Sequence, residues 1–65
     1  MTREEMLEEI ELLRSEGHNI GIPGHVGEWT CEFDGNRFTG TTPMEAFAAA
    51  RDFVLPDWHL TKGKP

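Results

Sequence analysis

The rhythm of apolar and polar residues changes twice along this chain. Between residues 2 and 16, Met6, Ile10 and Leu13 recur at i, i+4 and i+7, with Leu7 at the margin. That spacing is the apolar stripe of an amphipathic helix. Thr2-Arg3-Glu4-Glu5 reads as a capping box: the Thr2 hydroxyl can accept from the Glu5 amide, and the Glu5 side chain can reach back to the Thr2 N–H. Gly17 follows as a natural residue just past the helix end. The pattern predicts a helix over about residues 3–16.

From Gly17 the period shortens to two. Ile20 and Ile22 alternate, so residues 18–22 are a candidate edge strand, with a simple loop as the alternative, and Pro23-Gly24 is a turn dipeptide leading to the next strand. In "EWTCEFDGNRFTG", Trp29, Cys31 and Phe33 share one face, and Glu28, Thr30 and Glu32 share the other. Asp34-Gly35 is the signature of a two-residue type I′ loop. Such a loop sets Phe33 opposite Asn36, Cys31 opposite Phe38 and Trp29 opposite Gly40, which puts Phe38 on the apolar face. A loop one residue longer would move Phe38 to the polar face, so the pattern selects the even loop. The Trp29 ring is then placed to lie across Gly40. The predicted hairpin covers about residues 26–33 and 36–40.

The second change comes at "TTPMEAFAAARDFVLP". Thr42 is an N-cap, Pro43 fits the first helical position and Glu45 the third. Met44, Phe47, Ala50 and Val54 form the buried stripe of a helix over about residues 43–55, stopped by Pro56. Ala46, Ala48, Ala49 and Ala50 let that helix lie close to a sheet. Beyond it Trp58 and Leu60 are candidates to dock on the core, and residues 61–65 read as a flexible basic end. The expected fold is α+β: a single two-layer αββα domain over residues 1–65. In it a small antiparallel sheet, a hairpin or a three-stranded meander, packs against two helices.

Size and charge narrow the function. Sixty-five residues leave little room for a buried catalytic cleft with its supporting shell. Twelve acidic residues against six basic give a formal net charge of −6. That sign disfavours direct nucleic-acid binding, which is normally read from a basic patch, and favours a basic partner; colloidal solubility is the simpler account of the same charge. One cysteine excludes an internal disulfide. No apolar run approaches a membrane span, and the charged start lacks the apolar stretch of a secretory leader. A cytoplasmic protein without membrane contact is expected, as a monomer with a homodimer as the open alternative.

The first helix concentrates the charge. At about 100° per residue from Met6, the residues Glu4, Glu5, Glu8, Glu9, Glu11 and Glu16 fall in an arc from roughly 140° to 300°. Like charges four apart repel by a few tenths of a kcal/mol, a cost that lysines would avoid. Leu12 stands inside this arc, where it is either an ordinary exposed leucine or the apolar anchor of an interface. Glu28 and Glu32 on the outer hairpin face and Asp34 at its tip are candidates to extend the patch. The remaining chemistry is thin. His18, His25, His59 and Cys31 match no zinc spacing. Cys31 has no evident base and reads as a small core residue. "GIPGHVG" lacks the Lys-Ser/Thr and the helix start of a phosphate cradle. No catalytic residue, metal or cofactor is expected.

The stretch "WTCEFDGNRFTGTTPMEAFAAARDFVL" resembles small phage and mobile-element proteins of αββα type. The resemblance rests on Trp29, Gly35, the segment Phe38 to Gly40, and Thr42-Pro43-Met44-Glu45-Ala46. Gly40, Thr42, Glu45 and Ala46 also resemble the strand-to-helix junction of HicB-like antitoxin domains. In that setting a small acidic chain is similar to anti-CRISPR proteins that imitate DNA charge. The resemblance implies an inhibitor whose acidic surface blocks the basic DNA-binding groove of a host protein or nucleoprotein complex, such as a CRISPR effector. The alternative expectation is an antitoxin-like or adaptor module that binds protein through its sheet edge or C-terminal segment.

Overall fold

The computed structural model describes residues 1–25 and 27–58, with the side chain of His25 left aside. Val26, and the expectations placed on His59, Leu60 and the basic end, lie outside the described residues. The elements in chain order are α1 (Arg3–Ser15), β1 (Ile20–Gly21), β2 (Gly24–His25), β3 (Glu28–Phe33), β4 (Asn36–Gly40) and α2 (Pro43–Val54). Both helices cover one face of an antiparallel sheet whose central strand is β3, which is the two-layer α+β arrangement expected.

Local rules account for the element boundaries. The Thr2 side chain accepts from the Glu5 amide at 3.1 Å, and the Glu5 carboxylate accepts from the Thr2 amide at 2.8 Å, closing the capping box. Gly17, with φ +100°, takes the left-handed position past α1. At α2 the Thr42 hydroxyl accepts from the Glu45 amide. The Glu45 carboxylate does not reach back to Thr42 but accepts from the Thr41 hydroxyl at 2.6 Å.

The β3–β4 register agrees with the parity argument: Phe33 faces Asn36, Cys31 faces Phe38 and Trp29 faces Gly40. Asp34 and Gly35, with φ of 49° and 88°, form the two-residue turn. The other side of β3 departs from expectation. Pro23-Gly24 does not turn the chain. β1 pairs Ile20 with Phe33 and Gly21 with Glu32, and β2 pairs Gly24 with Trp29 and His25 with Glu28. These pairs share one register, so β1 and β2 are a single strand interrupted at residues 22–23, and the sheet is a three-stranded meander. Continuing the register sets Pro23 opposite Thr30, where proline has no N–H to give the ladder. The chain reverses instead between His25 and Glu28, with Gly27 at φ +84°.

The core lies between the sheet and the helices. Met6, Ile10 and Leu13 of α1, Ile20, Cys31 and Phe33 of the sheet, and Ala46, Phe47 and Ala50 of α2 are buried together. Each large apolar side chain buried this way contributes about 2–3 kcal/mol. Met44 and Val54, expected in the α2 stripe, are only partly buried against this cluster, and Ala46 takes a full place in it. Trp29 remains partly exposed, and its ring lies against Gly24: a Cβ on Gly24 would stand 3.5 Å from the ring. Gly40 passes under the start of α2, where a Cβ would come 2.7 Å from the Ala46 amide nitrogen. On the opposite, helix-free face of the sheet, Arg37 and Glu32 pair across the strands at 2.7 Å.

Candidate partner-binding surface

α1 has two polar flanks that do different work. On the first, Glu9 is buried at 6% exposure. One of its carboxylate oxygens accepts from Arg51 Nη1 at 2.9 Å and from Trp58 Nε1 at 3.1 Å. The Arg51 guanidinium stands 5.8 Å from the Phe47 ring centre and also reaches Asp52. A buried carboxylate needs such partners, because desolvation of an unpaired charge costs several kcal/mol. Glu9 therefore joins α1 to α2 and to the turn beyond it. It leaves the set of residues expected to face a partner.

The second flank points to solvent. Glu4, Glu8 and Glu11 follow one another at i, i+4 and i+7 along the exposed side of α1, a row of about 10 Å. Leu7 and Leu12, both about half exposed, border the row on either side. Glu16 is exposed at the C-cap, and Glu5 carries its capping bond at the other end. A shallow groove of about 340 Å³ runs beside the row, lined by Glu5, Glu8, Glu9, Leu12 and Trp58.

Among the described residues, basic side chains do not neutralise this flank. Arg14 turns away from it and donates from Nε and Nη2 to the Ile20 carbonyl, at 3.1 and 2.6 Å. Among the described residues, Glu4, Glu8, Glu11 and Glu16 belong to no ion pair.

The hairpin acids do not extend the patch. Glu28 and Glu32 alternate with the core residues Cys31 and Phe33, so they project from the sheet face that carries no helix. Asp34 works as a clamp at the hairpin tip. Its carboxylate accepts from the Asn19 amide at 2.8 Å and meets His18 Nδ1 at 2.7 Å, while its own amide donates to the Asn19 carbonyl. The Asn19 amide, followed by His18, holds the Asp34 carboxyl below its ordinary pKa of 3.8.

The remaining candidates sort simply. Cys31 is fully buried, and burial, followed by the charge of Glu32, pushes its thiol up to about 11, so it stays protonated at neutral pH. His18 bonds Asp34 and packs against Phe33. Among the described residues no group of three or more His, Cys, Asp or Glu is placed to hold a metal, and no helix is long and apolar enough to cross a membrane.

The expected docking of Trp58 on the core is seen, whereas sequence reasoning missed Arg51 and the hydrogen bond from Trp58 to Glu9. One signal was present: on the helical wheel Glu9 stands only about 40° from Leu13, at the margin of the apolar stripe. Arg51 likewise follows Phe47 by one turn, on the core side of α2.

No family model, curated protein or solved structure matches the chain.

Proposed function

We propose that the chain is a non-enzymatic inhibitor that lays the solvent flank of α1 against a basic groove of a nucleic-acid-binding complex, as an anti-CRISPR protein of the DNA-mimic kind does. Glu4, Glu8 and Glu11 take the place of phosphates, with Glu5 and Glu16 at the ends of the row. Leu7 and Leu12 supply apolar contact on either side of the charges. One observation carries this reading: Glu4, Glu8 and Glu11 of α1 form a row that belongs to no ion pair among the described residues, while Arg14 of the same helix is committed to the Ile20 carbonyl. Charge complementarity of this kind raises encounter rates and selects partners. Glu28, Glu32 and Asp34 fall outside the contact, because they lie on the opposite face or are engaged at the hairpin tip.

The test is target-DNA binding by the host's guide-loaded CRISPR effector, with and without the chain. The chain is expected to weaken DNA binding at least tenfold at low salt, and the effect should fall as salt rises. Glu4→Lys, Glu8→Lys and Glu11→Lys together should abolish it. Equal inhibition by this triple variant, or unchanged DNA binding in a large excess of the native chain, contradicts the proposal.

A further inference from the structure

The sheet has two free edges, and they are not built alike. In a two-residue hairpin the residues flanking the loop exchange both backbone hydrogen bonds, and such pairs alternate along the ladder. Phe33 and Asn36 flank one loop, so the odd residues of β3 bond to β4. His25 and Glu28 flank the other reversal, so the even residues of β3 bond to the β1–β2 strand. It follows that the backbone groups pointing outward are those of Ile20, Ile22 and Gly24 on one edge, and those of Arg37 and Thr39 on the other.

The first edge is blocked. Arg14 caps the outward Ile20 carbonyl with two hydrogen bonds, and Pro23 interrupts the strand. Proline and a charged side chain at an edge are devices that prevent another strand from adding. The β4 edge has no proline, and its one charged side chain, Arg37, is held by Glu32 of the neighbouring strand; Asn36–Gly40 runs unbroken and pairs only with β3 among the described residues. Beside it lies Phe53, at 65% the most exposed large apolar side chain among the described residues, with its ring centre 5.3 Å from that of Phe38.

We infer that β4 is a self-association edge, at which two copies of this chain pair antiparallel about Phe38 to make one continuous sheet. In that register Arg37 of each copy faces Thr39 of the other, so the outward N–H and C=O groups of both residues are satisfied. Phe38 faces Phe38 at the close, non-hydrogen-bonded position. The two-fold axis keeps both α2 helices on one side of the joined sheet, where Phe53 of each copy covers the seam. Charge favours a second copy at this place in particular. Each chain carries a formal net charge of −6, so two copies repel in general. β4 contains no acidic residue, and its one charge, Arg37, is paired with Glu32 in its own chain. α1 packs on β1 and α2, away from this edge, so the inference stands or falls independently of the proposed inhibitor function.

The experiment is sedimentation equilibrium from about 10 µM to about 1 mM, with amide hydrogen exchange at both ends of that range. The mass is expected to double from 7.4 kDa. Exchange at Arg37 and Thr39 is expected to slow at least tenfold, while the outward amides of Ile22 and Gly24 do not change. Thr39→Pro removes one outward donor without touching the β3 ladder, and Phe53→Glu places like charges across the seam. Each should return the protein to a monomer with unchanged circular dichroism. A native chain that stays monomeric throughout, or variants that dimerise like the native chain, overturns the inference.

Discussion

Glu8 and Glu9 are neighbours on one helix and identical in chemistry, yet the fold uses them in opposite ways. Glu9 is buried against Arg51 and Trp58, so its charge is neutralised inside the molecule and ties α1 to α2. Glu8 stands in an exposed row with Glu4 and Glu11, and among the described residues it belongs to no ion pair. The difference teaches that a run of glutamates is not one surface. A single residue step, about 100° of rotation about the helix axis, separates a carboxylate that holds the fold from those turned toward solvent.

The largest effect should come from Glu9. Glu9→Ala leaves Arg51, which is 15% exposed, without its buried partner. Breaking such a pair costs about 3 kcal/mol, a large part of the roughly 3–10 kcal/mol expected for a domain of this size. The urea midpoint should drop sharply, or the variant should be largely unfolded at 37 °C. An unchanged midpoint would remove Glu9 from the account of the fold.

Next comes Trp58→Phe, which keeps a ring beside the groove but deletes the indole N–H donor to Glu9. A loss of about 1 kcal/mol is expected, the usual net worth of one hydrogen bond with some charge assistance. A loss as large as that of Glu9→Ala would mean that Trp58, and not Arg51, is the principal partner.

Glu8→Gln should change stability by less than about 0.5 kcal/mol, since it removes only surface repulsion with Glu4. Paired with Glu9→Ala it forms the sharpest contrast in the molecule. If both substitutions destabilise alike, the division of α1 into two flanks is wrong.

The smallest effect concerns acid. The Asp34 carboxyl titrates below its ordinary value in the folded protein, so it adds stability above that value and loses it as pH falls through the folded pKa. Denaturant midpoints measured downward from about pH 5 should therefore fall more steeply for the native chain than for Asp34→Asn. Parallel curves would show that the clamp on Asn19 does not survive in solution.

What was legible in the sequence was local. The capping box at Thr2–Glu5 and the N-cap at Thr42 involve residues three apart, and the β3–β4 register followed from which face Phe38 must occupy. Helix faces and hairpin parity are set by chain geometry alone. The misreadings needed tertiary placement. Pro23-Gly24 has the composition of a turn, yet pairing with β3 resumes in the same register beyond a break at residues 22–23. Glu9 meets Arg51 across 42 residues and Trp58 across 49, separations that no short pattern encodes. Glu28 and Glu32 were correctly placed on the outer sheet face, but only the packing of α1 on the opposite face separated them from the helix acids. The candidate surface was thus legible as a composition and became a definite row of side chains only in three dimensions.

The central claim, that the solvent flank of α1 is a partner surface distinct from the structural flank, is tested most directly by one paired comparison. DNA binding by the host's guide-loaded CRISPR effector would be measured with the native chain, with Glu4→Lys/Glu8→Lys/Glu11→Lys, and with Glu28→Lys/Glu32→Lys, after confirming that all three fold. The account predicts full inhibition by the native chain and by the sheet-face variant, and none by the α1 variant. Inhibition that survives reversal of the α1 charges but not of the sheet charges would contradict it.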